Sequence, residues 1–307
     1  MKVVRFHAYG DACVLRHENA PLPEPGEGDV LIKVHAAGVN PADVQFRRGD
    51  YQAFVPLALP FILGWDVAGS VVAGAGDFAA GDAAFAMADM NRNGAYAEYV
   101  AVRAANVAHA PTRIPLEHAA GVPLAALTAW SALFDIANLQ SGQTVLIHAG
   151  AGGVGQFAIQ LARRAGARVI ATASAANHEM LRRLGADVLV DYRTADFAEG
   201  LRDVDVVLDT IGGQTRLKSW PVLRSGGILV AIAMPPPDAA VAQEHGVRAA
   251  MVTVLPSGDR LAEIARLIDV GELEVMIDSE FPLAQAAYAH RRIEQGHTRG
   301  KIILRVS

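Results

Sequence analysis

Four glycines within six residues, Gly150-Ala151-Gly152-Gly153-Val154-Gly155, form the segment of this 307-residue chain best suited to chemistry. The pattern is G-x-G-x-x-G, and its context gives it meaning. It follows an apolar strand signal at 144–148 and opens a helix signal at 156–165. Gly150 allows a tight turn. Gly152 leaves room for a pyrophosphate beside the backbone, and Gly155 lets the helix pack closely on the sheet. The free amides of the helix's first turn, at Gly153 and Val154, and its positive end would then face phosphates. The implied ligand is a dinucleotide.

Which dinucleotide follows from a missing acid. NAD sites carry a carboxylate roughly 20 residues beyond the glycines, where it holds the ribose hydroxyls. Here that zone reads Ala171-Thr172-Ala173-Ser174-Ala175, with no carboxylate. A 2′-phosphate would meet no repulsion there. Ser174 is placed to donate to it, and Asn177, Tyr192 and Arg193 lie where later loops reach the same phosphate. The expected cofactor is NADP(H).

Two grammars surround this motif. The first ~110 residues hold short strand signals broken by Gly and Pro, at 30–34, 67–73 and 95–100, which predicts a mainly β unit. From about Pro115 strands and helices alternate. Strand signals fall at 144–148, 168–172, 188–190, 204–208 and 228–232, and helix signals at 156–165, 178–184 and 261–270. That alternation predicts a parallel sheet covered by helices. The last strand signal, 301–306, has no assigned partner. The apolar run 119–134 reads as a buried helix, because a membrane span needs about 20 residues.

Composition narrows the function class. The net charge is −5, which argues against a broad basic face for nucleic acid. Hydrophobic residues make up 52% of the chain, enough for sizeable cores. Cys13 is the single cysteine, so neither an internal disulfide nor a four-cysteine zinc lobe can form. No signal peptide or membrane segment is expected, and the composition suits a reducing cytoplasm.

Further segments occur in a telling order. They are Ala37-Gly38-Val39-Asn40-Pro41-Ala42-Asp43, Arg47-Arg48-Gly49-Asp50-Tyr51, Gly64-Trp65-Asp66-Val67-Ala68-Gly69, Leu127-Thr128-Ala129-Trp130, Asp209-Thr210-Ile211-Gly212-Gly213 and Gly300-Lys301-Ile302-Ile303-Leu304. With the glycine turn they resemble the zinc-free quinone oxidoreductases of the medium-chain dehydrogenase/reductase superfamily over nearly the whole length. The resemblance implies an α/β protein with a GroES-like β domain, residues 1–112 completed by 273–307. A doubly wound Rossmann domain would occupy 113–272. Zinc-dependent relatives carry a cysteine and a Gly-His-Glu where this chain has Asn40 and Gly64-Trp65-Asp66. No metal is therefore expected, and His7, His17, His35 and His148 read as structural.

The resemblance also implies roles. Asn40 and Asp43 would line the nicotinamide side of a cleft, Thr128 would sit near the carboxamide, and Gly227 and Lys301 would touch the cofactor or the domain seam. Tyr51 would be a proton donor, or an aromatic packed over the substrate. Arg47 and Arg48 read as solvated loop charges. The expected activity is hydride transfer from NADPH to a quinone or an α,β-unsaturated carbonyl. Alternatives are an enoyl-thioester reductase and a non-enzymatic NADPH-binding sensor or structural protein. A homodimer is expected through an exposed strand edge at 228–233, with no nucleic-acid or membrane partner.

Overall fold

An eleven-residue strand, Asp29–Val39, organises the first half of the chain. Val30, Ile32 and Val34 are buried, while Leu31, Lys33 and His35 between them are not, the period-two pattern of a strand with one covered face. From Ala36 to Val39 every residue is buried. The structure is a computed structural model that describes residues 1–306.

In chain order the strands are β1 (Lys2–Phe6), β2 (Leu15–Asn19), β3 (Asp29–Val39), β4 (Phe61–Ile62), β5 (Asp66–Ala73), β6 (Ala83–Met87), β7 (Tyr99–Arg103) and β8 (Val107–His109). There follow β9 (Thr144–Ile147), β10 (Arg168–Ala173), β11 (Val188–Asp191), β12 (Val204–Asp209), β13 (Leu223–Ala231), β14 (Arg248–Met251), β15 (Ile277–Pro282) and β16 (Lys301–Arg305). The chain divides into two compact units.

The first unit holds Met1–Leu124, Pro256–Gly271 and the residues from Val275 onward. Its larger sheet runs β15-β16-β3-β5-β6-β8, with β7 also on β3. One end of β3 pairs with β7 and the other with the C-terminal strand β16. Lys301 is thereby brought beside the 37–43 segment, 261 positions from Asn40 in sequence. A small sheet, β2-β1-β4, completes the unit. Only Tyr99 and Val100 of the signal at 95–100 enter a strand. Ala97 makes a single bridge to Val3.

The second unit holds Ala125–Leu255 and Glu272–Glu274. Its six strands are all parallel, in the order β11-β10-β9-β12-β13-β14. The strands cross to opposite sides after β9, so the switch point of the sheet lies between β9 and β12, where open parallel sheets bind ligands. Val145, Leu146 and Ile147 are fully buried, as a strand covered on both faces requires. Leu146, Ile170, Val207, Leu229 and Trp220 share one core cluster.

Several expectations change here. The run 119–134 is not one helix. It takes in the last residue of the helix Leu116–Ala119, the whole helix Pro123–Trp130 and most of a π-helical turn, Ser131–Ile136. Residues 113–124 and the helix Gly258–Asp269, which the sequence reading gave to the second domain, pack in the first unit. Asp269 accepts from the amides of Thr112 and Arg113 at 2.7 and 3.0 Å, which fastens that helix beyond β8. The segment 228–233 is not a sheet edge. β13 is hydrogen-bonded to β12 on one side and β14 on the other, so the edge strand is β14.

Candidate active site

The glycine turn has the geometry that dinucleotide binding demands. It leaves β9 and enters the helix Gly153–Arg164. The left-handed residue is Ala149, at φ 48°, and not Gly150 as the motif suggested. Gly150 serves a close approach instead. A Cβ there would meet Ala171 and Ile159 at 3.0 Å. At Gly155 a Cβ would lie 2.4 Å from the Ala149 carbonyl and 2.7 Å from Gly150, all backbone. At Gly152 it would meet only the Ala149 carbonyl, at 3.2 Å, so that side of the turn is open. This cradle fits a pyrophosphate.

His148 braces the turn from below. It is fully buried, with Nδ1 3.2 Å from the Thr172 hydroxyl and Nε2 2.9 Å from the Ser219 hydroxyl. Ser219 spends its own proton on the Thr215 carbonyl at 2.7 Å, so His148 Nε2–H is the donor to Ser219. Burial lowers the His148 pKa to about 4, with Asp209 opposing, and the ring stays neutral. Its expected structural role agrees with these contacts.

β10 and β11 run parallel with Ala173 opposite Asp191, which sets Ser174 beside Tyr192 at the two strand ends. Asn177 Nδ2 donates to the Ser174 hydroxyl at 3.2 Å. The Arg193 guanidinium stands 5.8 Å from the Tyr192 ring centre. The two pairs follow the adjoining ends of β10 and β11, and Tyr192 is 48% exposed. The sequence reading missed Asp191. It comes from the neighbouring strand, outside the zone searched for an acid. Its carboxylate is turned to the amides of Ala175 and Arg193, at 3.2 and 3.0 Å.

The second polar centre lies in the first unit. Asn40 precedes the helix Pro41–Arg48, and its main-chain amide donates to Asp43 at 2.7 Å. Its side chain is used differently. Nδ2 donates to Asp66 at 2.9 Å, and Oδ1 accepts from the Lys301 ammonium. Lys301 also reaches Asp66 at 3.0 Å, and Asp66 accepts the Leu124 amide at 2.6 Å. Asp43 accepts the Gly64 amide at 2.9 Å. All four side chains are buried. Burial raises the Asp43 pKa to about 7. Backbone donation from Asn40 and Gly64 and the charge of Lys301 oppose that rise, and Asp66 adds to it.

Tyr51 follows the same helix, half-buried, with its hydroxyl donating to Gln45 at 3.0 Å and its ring 5.0 Å from Phe46. Burial, then Asp50, raises its pKa, so the phenol stays protonated through the neutral range. Thr128 is buried in the helix Pro123–Trp130. The structure also places Gly227 and Lys301 and corrects the reading of Arg47. Gly227 sits in the early part of β13, near the level of Asp205. The phosphate turn lies beyond the other end of these parallel strands, level with Asp209 and Ala231. Gly227 therefore lies away from the turn, and its expected contact with the cofactor or the domain seam rests on the resemblance alone. Lys301 places two of its three ammonium donors on Asn40 and Asp66. Arg47 is no solvated loop charge: it is 0% exposed, within a helix, and paired with Glu294 at 2.5 Å. Sequence reasoning gave no role to Tyr96, His290 or Glu294, because no local spacing joins residues 47, 96 and 290.

The donor set does not fit a metal. Asp43 and Asp66 are occupied by amides and by an ammonium, and among the described residues no group of three His, Cys, Asp or Glu side chains is placed to hold an ion. Nor is any helix among them long and apolar enough to cross a membrane.

Two family models match the chain. Residues 26–112 match the alcohol dehydrogenase GroES-like domain, and residues 184–304 match a model described as zinc-binding dehydrogenase. The quinone-oxidoreductase QR1 of Triphysaria versicolor chloroplasts is 33% identical over 99% of this chain and 98% of its own length. The chloroplastic NADPH-dependent alkenal/one oxidoreductase of Arabidopsis thaliana is 36% identical over 99% of this chain and 79% of that protein. The solved quinone oxidoreductase of Coxiella burnetii superposes with a TM-score of 0.91 at 34% identity, covering 100% of this chain and 99% of that one. The chain is an NAD(P)H-dependent oxidoreductase and belongs to the zinc-free quinone oxidoreductase family of the medium-chain dehydrogenase/reductase superfamily.

Proposed function

We propose that this enzyme is an NADPH-dependent, metal-independent reductase of quinones or α,β-unsaturated carbonyls. The observation that carries the reading is the commitment of Asp43 and Asp66 to amides and to Lys301. With no donors left for a Lewis acid, the acceptor must already be electrophilic. Bound NADPH would supply the hydride. The amides of the glycine turn hold its pyrophosphate, and Ser174, Asn177, Tyr192 and Arg193 take its 2′-phosphate. NADPH oxidation with a panel of quinones, enones and enoyl thioesters tests this. Turnover of quinones or enones supports it. Preference for thioesters would make it an enoyl-thioester reductase, and no turnover at all would make it a non-enzymatic binder.

Two variants sharpen the reading. Ser174→Asp puts a carboxylate where the 2′-phosphate docks. NADPH should lose roughly tenfold or more in kcat/KM, about 1.4 kcal/mol, with little change for NADH. An equal loss with both cofactors would remove Ser174 from that site. Tyr51→Phe deletes the hydroxyl that would exchange Gln45 for the substrate oxygen gaining charge. Enone turnover should fall by roughly ten- to a hundred-fold with the NADPH KM unchanged. An unchanged kcat would leave Tyr51 as a packing residue.

The edge strand β14 presents an unpaired row of backbone groups on its outer side. A second copy pairing there about a twofold axis would form a homodimer. Light scattering should then give twice the 32.4 kDa chain mass, and a single-chain mass would dismiss the dimer.

A further inference from the structure

Arg216 is buried in the helix Gly213–Ser219 of the second unit, and protein engages each of its guanidinium nitrogens. Nε donates to the Asp209 carboxylate at 2.6 Å, Nη2 to the Ala233 carbonyl at 2.5 Å, and Nη1 to the Pro235 carbonyl. Asp209 ends β12 and is fully buried. Its other oxygen accepts the amides of Ile211 and Gly212 at 3.1 and 2.8 Å. One ion pair therefore grips two loops, 210–212 after β12 and 232–237 after β13. The second loop depends on an outside donor, because Pro235, Pro236 and Pro237 offer no N–H to fasten it.

The same helix is tied to the phosphate turn. Ser219 accepts from His148, the residue before Ala149, and the Thr210 hydroxyl donates to the His148 carbonyl at 2.8 Å. Strand register sets the three strand ends side by side, with Ile147 beside Leu208 and Asp209 beside Ala231. A dinucleotide crosses the carboxyl ends of an open parallel sheet at its switch point, with its pyrophosphate on the glycine turn. On the reading above, the adenosine 2′-phosphate docks beyond β10 and β11. The nicotinamide half must then run the other way, over the ends of β12 and β13. Each loop there carries a large apolar side chain that is left exposed, Ile211 on one and Met234 on the other.

We propose that Arg216 is a positioning residue for the nicotinamide half of the cofactor, holding the loops after β12 and β13 at a fixed separation so that this half meets a surface already formed. The inference rests on the NADPH reading. Arg216 acts through the loops, since its nitrogens are turned to Asp209 and to two carbonyls. Without it the loops must be ordered by the cofactor itself, which lowers affinity for the half that touches them and for no other part.

Calorimetric titration with NADPH and with 2′,5′-ADP separates the two halves, because 2′,5′-ADP carries the adenosine and its 2′-phosphate without nicotinamide. Arg216→Met should lose roughly tenfold in NADPH affinity and bind 2′,5′-ADP as wild type does. That variant leaves Asp209 buried without its cation. The double variant Asp209→Asn with Arg216→Met releases the 232–237 loop with no buried charge, and its Asn Oδ1 still accepts the two amides. It should show the same selective loss, and it carries the test if Arg216→Met does not fold. Equal losses for both ligands, or unchanged NADPH affinity in a folded variant, would overturn the proposal. A wild type that binds NADH more tightly than NADPH would sink the NADPH reading and leave the positioning role to be read from NADH against 5′-ADP. A wild type that binds neither dinucleotide would overturn both.

Discussion

Gly155→Ala should lose NADPH binding by roughly a hundredfold or more, about 2.7 kcal/mol, while the chain still folds. The added methyl would overlap the Ala149 carbonyl at 2.4 Å and Gly150 at 2.7 Å. Every atom it meets is backbone, so no side chain can swing aside. Either the helix Gly153–Arg164 retreats or the turn opens, and in both cases the amides leave the phosphates. Gly152→Ala is the control. Its methyl would meet a single atom at 3.2 Å, so its melting temperature should stay near wild type. Calorimetric titration with NADPH reads the first effect and thermal melting the second. Wild-type affinity in Gly155→Ala would mean that the turn is not the dinucleotide cradle.

The second large effect is expected at Lys301. Lys301→Met removes the cation from Asp66, which is 0% exposed, and from the Asn40 carbonyl oxygen. A buried carboxylate left without its partner costs on the order of 3–5 kcal/mol. Urea unfolding should show that loss. The pair itself need not be strongly stabilising, since burying two charges offsets much of their attraction. The double variant Lys301→Met with Asp66→Leu should therefore recover part of the deficit. A loss below about 1 kcal/mol in the single variant would show that Asp66 has another source of charge compensation.

Legibility differed between the two units for a physical reason. The phosphate turn is local: strand, glycines and helix are contiguous, and the strand order follows from alternation and the handedness of crossovers. Even there, only the structure shows that the left-handed residue is Ala149 and that Gly150 serves packing. The polar centre of the first unit is non-local. It joins residues 40, 43, 66 and 301, with 47, 96 and 290 behind them, and no periodicity links such positions. Asn40 and Asp43 could be named through resemblance, but their partners could not. Edge strands pose a similar difficulty. Ile228 to Val230 are as apolar as an exposed dimer edge, yet the same composition suits an interior strand, and β14 takes the edge.

The pairing of β16 with β3 has a consequence for biosynthesis. The ribosome delivers the middle unit in a nearly unbroken stretch, Ala125–Leu255, which can mature while translation continues. The N-terminal portion emerges earlier but waits longer. Until β16 is made, Asp66 has no ammonium and the 36–39 half of β3 is paired on one side only, by β5. A nascent polypeptide stalled just short of Lys301 would thus hold a finished nucleotide-binding lobe beside an unclosed β layer, the natural substrate of a chaperone.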